Sequence, residues 1–210
     1  SSVAHAGYML AAMAAIGSGL ADASTSSMIL TAVVFHLLIL VLFKFGAFLV
    51  LSMLEADGGG HRIEDLHGLI RREPGIGVAM FVFMLSLAGV PPLSGFLSKL
   101  LMINGIVSVS AATGAATSTT IVEWASGVDP LFWLAVAIVL NSALSLFYYL
   151  RIGLVMFFES PESDSGLSKA PSLRLAIFGC AILTLLFGIG PMSEWLLDMV
   201  TSAVDTMMGL

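Results

Sequence analysis

The sequence predicts an all-α, polytopic integral membrane protein, a bundle of five transmembrane helices of which the third is discontinuous. Hydrophobic residues make up 58% and charged residues 10% of the 210 residues, which leaves too few polar side chains to cover a water-soluble globule. Five apolar stretches alternate with polar or Gly/Ser-rich breaks, and each approaches or exceeds the roughly 20 residues that cross a bilayer core. Two adjacent prolines interrupt the third stretch. We therefore expect residues 1–210 to form a single transmembrane domain.

The five stretches are expected to be helices, because lipid offers no partner to an unpaired backbone group. In chain order they cover Val3–Leu20, Met28–Leu54, Gly75–Val109, Leu131–Phe158 and Leu173–Trp195. The connection Glu55–Glu73 mixes charged residues with leucine and isoleucine, which fits a short amphipathic segment on the membrane surface. The connection Ser110–Gly127 is rich in Ala, Thr, Ser and Gly, and it either is flexible or lengthens the third helix.

Basic residues are confined to alternate connections, which predicts an orientation because lysine and arginine are retained on the cytoplasmic side. The second and fourth connections, with the adjoining helix ends, hold Arg62, Arg71, Arg72, Arg151, Lys169 and Arg174. The first and third connections and the C-terminal tail hold only acidic charges, namely Asp22, Glu123, Asp129, Asp198 and Asp205. The N-terminus of this segment is therefore expected in the cytoplasm and its C-terminus outside. Trp124, Trp133 and Trp195 then all fall near the outer interface, where indole rings settle.

Two lysines, Lys44 and Lys99, lie inside apolar spans. A cation at bilayer depth costs about 2.5 to 3.5 kcal/mol on insertion scales, so it usually faces a protein interior or a hydrated path. The alternative is that the flexible side chain extends to the interface. Lys44 lies roughly ten residues, or about 15 Å of helix rise, before the inner end of its span at Leu54. The lysine stem covers only part of that distance, which favours a functional role.

A histidine, His36, precedes Lys44 by eight residues on the same predicted helix. The spacing corresponds to an offset of about 80° and about 12 Å of rise, so the two share a broad face without touching. Neutral imidazole both accepts and donates a proton, which makes His36 a candidate relay connected to Lys44 through water. The alternative is a histidine bonded to a neighbouring helix.

The third span contains two glycines and two prolines close together, Gly89, Pro91, Pro92 and Gly95. Proline removes backbone donors and glycine loosens the chain, so a helix cannot run through unbroken. Breaks at membrane depth are typical of ion pathways, although a simple proline kink is the alternative. Lys99 would lie in the first turn or so of the second half-helix. There the helix dipole and dry surroundings both disfavour the ammonium form, so the lysine can lose and regain its proton.

Several function classes are disfavoured by composition. The net charge of −6 and the lack of a basic cluster argue against nucleic-acid binding. The single cysteine, Cys180, lies in an apolar helix and is expected to pack rather than react. The sequence has no Walker-type loop, cysteine cluster, or haem or flavin signature, so no cofactor is expected on this chain. Protons that enter near Lys44 and leave past Lys99 would draw on an energy source elsewhere in a complex.

The sequence resembles the antiporter-like membrane subunits of respiratory complex I and their relatives. The stretches that carry the resemblance are Ser1–Tyr8, Lys44–Phe48, Glu64–Pro74, Leu85–Lys99 and Tyr148–Arg151. The Gly-Val-Pro-Pro-x-x-Gly-Phe-x-x-Lys run is similar to one in all such subunits and in Mrp-type cation/proton antiporters. The opening and the Glu-Asp-Leu segment are similar to subunit N (NuoN-like) in particular. The resemblance runs from end to end except over Ser108–Ser126.

The resemblance implies two inverted five-helix repeats, each with a broken helix, and a midplane line of lysines, histidines and a glutamate that carries protons. This chain is similar to the last five helices, the C-terminal half, so another repeat is expected before Ser1. Lys99 would be the outlet lysine and Lys44 the central-axis lysine, at a position where many subunit N sequences have asparagine. His36 would be an axis histidine.

The partners implied are the lipid bilayer, protons and other membrane subunits of a respiratory complex in the plasma membrane of a prokaryote. Flavin, iron–sulfur clusters and quinone are expected on those partner subunits.

Three functions remain open at this point. The first is a proton-translocating subunit of an NADH (or F420H2):quinone oxidoreductase, a translocase with no redox chemistry on this chain. The second is a subunit of an Mrp-type Na+/H+ antiporter. The third is a structural membrane scaffold, in which the lysines pair with acidic residues of neighbouring subunits.

Overall fold

The computed structural model describes residues 1–59, 62–112, 129–160 and 170–210, and these are helical with short connections. The helices are α1 Ser2–Gly17, α2 Ala23–Glu55, α3 Leu69–Arg72, α4 Pro74–Ala88, α5 Ser94–Ala112, α6 Pro130–Phe158, α7 Pro171–Leu186 and α8 Pro191–Met208. Within those ranges no β-strand occurs. The predicted all-α, polytopic membrane fold is confirmed. The predictions that fall on Glu123, Trp124 and Lys169, on residues 60–61 of the connection 55–73 and on most of the connection 110–127 lie outside the described residues.

The helices differ in their capacity to cross a membrane. Among the described residues, three are long and apolar enough to do so, namely α2, α5 and α6. The count becomes four if α7 and α8, which are bent at the break between them, are taken as one span. Helices α1 and α4 are apolar but shorter. The long α2 begins where Asp22 accepts a hydrogen bond from the backbone of Thr25 at 2.8 Å. Hydrogen bonds from the side chain and backbone of Thr25 and from Ser24 lower the pKa of Asp22.

The predicted break in the third span is confirmed and lies between α4 and α5. Helix α4 ends at Ala88, and Gly89 follows with a φ of 82°, a left-handed conformation that favours glycine. The backbone N–H of Val90 then bonds to the carbonyl of Leu85 at 3.0 Å. Pro91 and Pro92 lie in the non-helical segment before α5 begins at Ser94.

Gly95 allows the first turn of α5 to lie against the last turns of α4. A Cβ atom on Gly95 would lie 1.9 Å from the carbonyl oxygen of Ser86, which no side chain can satisfy. The Gly95 N–H donates to the Ser86 hydroxyl at 3.2 Å, and the hydroxyls of Ser86 and Ser94 are 3.4 Å apart. The glycine that the sequence marks as loosening the helix is therefore required for a close backbone contact.

A second break, which the sequence analysis did not predict, divides the stretch Leu173–Trp195. Helix α7 ends at Leu186 and α8 begins at Pro191, after a segment in which Gly190 has a φ of 82°. Two glycines in this short segment and the proline that follows it weaken and terminate the helix. A Cβ atom on Gly188 would lie 2.4 Å from the carbonyl oxygen of Pro92. The two breaks are therefore in direct backbone contact.

The connection between α2 and α4 contains a short 3-10 helix, Ile63–Leu66, and the single-turn helix α3. Leu66 and Leu69 are buried, whereas Arg71 is exposed, in keeping with an amphipathic segment. At the start of α4, Glu73 accepts two hydrogen bonds from the guanidinium of Arg174 on α7, at 2.8 and 2.9 Å. This bidentate pair joins the beginnings of α4 and α7.

The described chain divides into two compact units. The first unit comprises Ser1–Leu37, Leu97–Ala143 and Glu194–Leu210, and the second comprises Leu38–Phe96 and Leu144–Ser193. The first unit has a buried apolar cluster built from α1, α2, α5 and α6, with Ala12, Ile29, Met102, Ile106 and Ile138 among its members. The second unit buries Phe43, Phe83, Met156 and Ile177 completely.

Candidate proton-transfer site

Two histidines form a buried pair in the first unit. His5 on α1 and His36 on α2 are 2% and 0% exposed. Nδ1 of His5 lies 3.1 Å from Nε2 of His36, and the stacked rings have centroids 5.2 Å apart with planes inclined by 22°. At this distance one nitrogen donates and the other accepts, so the pair shares a single proton between the facing nitrogens.

The second ring nitrogen of His36 is also hydrogen-bonded. Nδ1 of His36 lies 2.8 Å from the hydroxyl oxygen of Ser98, which is fully buried on α5. Because a serine hydroxyl both donates and accepts, His36 is compatible with either of its neutral tautomers. Ser98, His36 and His5 thus form a continuous hydrogen-bonded row across three helices.

Lys99, the residue after Ser98, is buried beside this row. The residue is only 4% exposed, and its Nζ donates a hydrogen bond to the hydroxyl of Ser142 on α6 at 3.0 Å. The ammonium nitrogen also lies 5.5 Å from the centroid of the Tyr8 ring. An aromatic face at this distance attracts a cation by about 0.5 to 2 kcal/mol, more when water is excluded. Lys99 therefore does not extend to an interface.

Tyr8 connects the lysine with the histidine pair. Its ring packs edge-on against the ring of His5, at a centroid distance of 5.5 Å and an interplanar angle of 73°. Its hydroxyl accepts a hydrogen bond from the side-chain amide of Asn141 at 3.1 Å. These contacts define one set of residues, the Lys99 cluster: His5, Tyr8, His36, Ser98, Lys99, Asn141 and Ser142.

Local sequence explains how four helices deliver these side chains to one place. His5 and Tyr8 are three residues apart on α1 and so project from one face of that helix. Ser98 and Lys99 lie in the first two turns of α5, which begins at Ser94. Asn141 and Ser142 are adjacent polar residues in the largely apolar middle of α6. Apolar neighbours of the first unit surround the cluster and raise the cost of leaving any of these groups unpaired.

The structure locates the residues singled out from sequence in different units. His36 and Lys99 belong to the first unit and reach each other's neighbourhood through Ser98. Lys44 belongs to the second unit and is partly buried, between the fully buried Phe43 and the exposed Phe45 on α2. The break residues Gly89, Pro91, Pro92 and Gly95 also belong to the second unit.

The sequence pattern does not mark His5, Tyr8, Ser98, Asn141 or Ser142 as functional residues. The strongest available signal was His5, a second histidine within an apolar helix. The pair Asn141 and Ser142 was a weaker signal, because polar residues with no charge are common in transmembrane helices. Nothing in the one-dimensional pattern indicates that α1 and α6 contact the same face of α5.

Within the described part of the chain, no group of three or more His, Cys, Asp or Glu side chains could hold a metal ion.

The family model described as "NADH:quinone oxidoreductase/Mrp antiporter, TM" matches residues 1–122, more than half of the chain. The chain belongs to this family. It is a multi-pass, antiporter-like membrane protein of the complex I/Mrp type.

Relatives with curated names give a consistent picture. NADH-quinone oxidoreductase subunit N of Chloroflexus aggregans is 34% identical over 192 residues, which cover 91% of this chain and 34% of the relative. Subunit N 1 of Sorangium cellulosum is 35% identical over 195 residues, covering 91% of this chain and 33% of the relative. The chain thus spans about a third of the length of the curated relatives that it matches.

Solved structures agree with this assignment at the level of the fold. A chain of respiratory complex I from Thermus thermophilus with bound aureothin superimposes with a TM-score of 0.59 at 27% identity, covering 94% of this chain and 45% of that one. A chain of the Mrp complex from Dietzia sp. superimposes with a TM-score of 0.62 at 24% identity, covering 86% of this chain and 38% of that one. The second likeness bears on the fold alone.

Proposed function

We propose that this chain is part of a proton-translocating membrane subunit of an NADH (or F420H2):quinone oxidoreductase, and that protons pass through the Lys99 cluster with the help of water. The observation that carries the proposal is the buried hydrogen-bonded row formed by Ser98, His36 and His5 beside Lys99. Similarity to subunit N of several bacteria supports the choice of complex.

The histidine row provides a bistable path for a proton. In one arrangement the Ser98 hydroxyl donates to Nδ1 of His36, and Nε2–H of His36 donates to Nδ1 of His5. In the other arrangement both bonds are reversed, with His5 donating to His36 and His36 donating to Ser98. A proton that arrives at one end of the row therefore releases another proton at the opposite end, while the ring positions hardly change.

Lys99 acts as the storage site for the charge. As an ammonium it donates to Ser142 at 3.0 Å and lies over the face of Tyr8. As a neutral amine it keeps the same serine as a partner, because the hydroxyl can then donate to the nitrogen lone pair. Both protonation states therefore have a satisfied hydrogen bond, which is required of a group that must charge and discharge in a dry interior.

The direction of transport follows from the predicted orientation, with the N-terminus of the segment in the cytoplasm and its C-terminus outside the plasma membrane of a prokaryote. Lys44 would then receive protons from the cytoplasmic half, and Lys99, beyond the break, would deliver them outward. Each charge moved against about 100 mV requires about 2.3 kcal/mol. We expect this energy to come from electron transfer on partner subunits that carry flavin, iron–sulfur clusters and quinone.

A second candidate function is a subunit of an Mrp-type Na+/H+ antiporter. It is favoured by the description of the matching family, which includes Mrp antiporters. Sodium separates the two candidates. Proton movement by an antiporter requires sodium on the opposite side of the membrane, whereas redox-driven proton translocation continues in sodium-free medium.

The proposal is tested by the substitution Lys99→Met in the full-length subunit, within the assembled complex in sealed membrane vesicles. Methionine keeps the length and apolar stem of the side chain but cannot carry a proton. We expect normal assembly and a loss of the redox-driven pH gradient. If assembly is strongly reduced, but the complexes that do form translocate protons normally, the lysine is structural and the chain is a scaffold.

A further inference from the structure

A cleft of about 670 Å³ opens in the first unit, between the beginning of α2, the middle of α5 and the end of α8. Its apolar walls include Ala32 and Leu101, and its polar lining residues are Ser24, Ser27, Thr31, Thr201 and Asp205. The cleft is separate from the Lys99 cluster in its lining residues. The proposed function does not use it.

An acidic side chain lies in this cleft. The hydroxyl of Ser27, in the second turn of α2, donates a hydrogen bond to the carboxylate of Asp205, near the end of α8. Asp205 is only partly exposed. A carboxylate among alanine, methionine and leucine side chains requires more donors than one hydroxyl, and water supplies them at the lowest cost in a cleft of this size.

The second observation concerns Thr31. It is only 7% exposed, and its hydroxyl is the buried side-chain polar group, among the residues described, that has no hydrogen-bond partner. Three other helical threonines bond to the carbonyl one turn earlier, namely Thr184, Thr201 and Thr206. The Thr31 hydroxyl does not make that bond, and Thr31 is one of the residues that line the cleft. A buried hydroxyl beside the cleft that has no protein partner calls for a bound water molecule.

The cleft lies one helical turn from the histidine row. On α2, Ala32 lines the cleft and His36 follows it by four residues, so both lie on the same face. On α5, Leu101 lines the cleft and Ser98 precedes it by three residues, again on the same face. His36 and Ser98 bond to each other. Along the interface between α2 and α5, the histidine row and the cleft are therefore separated by one layer, formed by Ala32 and Leu101.

We propose that this cleft is a hydrated vestibule through which protons pass between the Ser98 end of the histidine row and the outer side of the membrane. Thr31 holds water at its inner end. Asp205, positioned by Ser27, is the carboxylate that accepts a proton from this water and releases it to the bulk solution. This inference rests on the proposed function for the direction of the proton, and on the predicted orientation for the side of the membrane. An acyl chain in the cleft would leave Thr31 and Asp205 unsolvated, so lipid is the alternative that the test must exclude.

Hydration is tested with cysteine at position 31, in the full-length subunit within the assembled complex and with Cys180→Ala as background. A charged, membrane-impermeant methanethiosulfonate is added from the outer side. We expect Thr31→Cys to be modified, and the same result with Ser27→Cys. Thr184→Cys is the control, since Thr184 is also buried but is bonded to its own helix, and we expect no modification there. If the cysteine at position 31 reacts with a lipophilic maleimide but not with the charged methanethiosulfonate, the proposal is overturned.

Proton passage is tested separately with Asp205→Asn, for which we expect a several-fold slower outward proton release. Asp198→Asn, two turns earlier on the same helix and exposed, is the control and should leave the rate unchanged. An unchanged rate in Asp205→Asn overturns the vestibule while the proposed function stands, provided that Lys99→Met abolishes translocation. Normal translocation in Lys99→Met overturns the proposed function itself, whatever the labelling at position 31.

Discussion

The imidazole rings of His5 and His36, from residues 31 positions apart in the chain, are stacked with Nδ1 of one 3.1 Å from Nε2 of the other. Both residues are almost completely buried. If both rings were protonated, two N–H groups and two positive charges would face each other in an apolar interior, which is strongly unfavourable. The pair therefore holds at most one excess proton, and it behaves as a unit that receives and passes on a proton.

Because the pair acts as a unit, the effects of His5→Gln and His36→Gln on proton translocation should not be additive. Glutamine retains a hydrogen-bonding group but does not exchange its proton along the row. We expect each single variant to slow translocation several-fold and the double variant to be no slower than the worse single variant. Rates of acidification in sealed vesicles provide the measurement. His67→Gln, in the connection between α2 and α4, is the control, and multiplying effects at the two positions would show that they act independently.

Tyr8 is predicted to act through its ring rather than its hydroxyl. Tyr8→Phe keeps the aromatic face beside Lys99 and loses the hydrogen bond from Asn141, a net contribution of about 0.5 to 1.5 kcal/mol. Tyr8→Leu also removes the aromatic face, which contributes about 0.5 to 2 kcal/mol. We expect Tyr8→Phe to translocate protons at nearly the normal rate and Tyr8→Leu to be clearly slower, with both complexes assembled. Equal rates in the two variants would argue against a role for the aromatic face.

The contact between the two helix breaks should be intolerant of any side chain. Gly95→Ala and Gly188→Ala place a Cβ atom 1.9 Å from the Ser86 carbonyl oxygen and 2.4 Å from the Pro92 carbonyl oxygen. Overpacking usually costs about 1 to 3 kcal/mol, and here the obstacle is backbone, which yields less readily than a side chain. We expect reduced assembly and a lower thermal midpoint.

Gly179→Ala is the matched control for these two substitutions. Gly179 lies in the middle of α7 with nothing within 4 Å of a Cβ atom. Alanine favours a helix over glycine by about 1 kcal/mol, so the expected effect is neutral or slightly stabilising. A loss of stability in Gly179→Ala that matches Gly188→Ala would mean that steric contact at the breaks is not the cause.

Much of the fold was predictable because the bilayer imposes strong, local rules. The length of apolar stretches predicted α2 and α6 closely, and the adjacent Pro91 and Pro92 predicted the break between α4 and α5. The second break was missed although Gly188, Gly190 and Pro191 give a similar signal. The surrounding residues are apolar enough to read as one span, and hydropathy alone does not register a bend.

The site was predictable only where a residue carries charge into an apolar span. Lys99 is conspicuous for this reason, since a buried cation has few structural explanations. His36 was recognised, but its partner His5 was not, because the contact depends on packing between α1 and α2. Ser98 and Ser142 carry no distinguishing pattern at all, as serine is common at helix contacts in membranes. Their roles follow only from distances to His36 and Lys99.

Lys44 remains a predicted functional residue, and its role can be separated from that of Lys99. We expect Lys44→Met to slow proton translocation, because it removes a protonatable group from the expected cytoplasmic half of the path. Lys44→Asn should retain more activity, since an amide can still hold water at that position. Arg151→Gln, an exposed basic residue near the end of α6, is the control. If Lys44→Met and Arg151→Gln have equally small effects, Lys44 does not lie on the proton path.

Infrared difference spectroscopy of the assembled complex during turnover tests the central claim most directly, with histidine labelled by 15N so that its ring vibrations can be identified. We expect imidazole bands to change as electrons flow, and the same bands to disappear in both His5→Gln and His36→Gln, because the two rings share one proton. A complex that translocates protons at its full rate without any change in the bands of these histidines would contradict a role for the histidine pair.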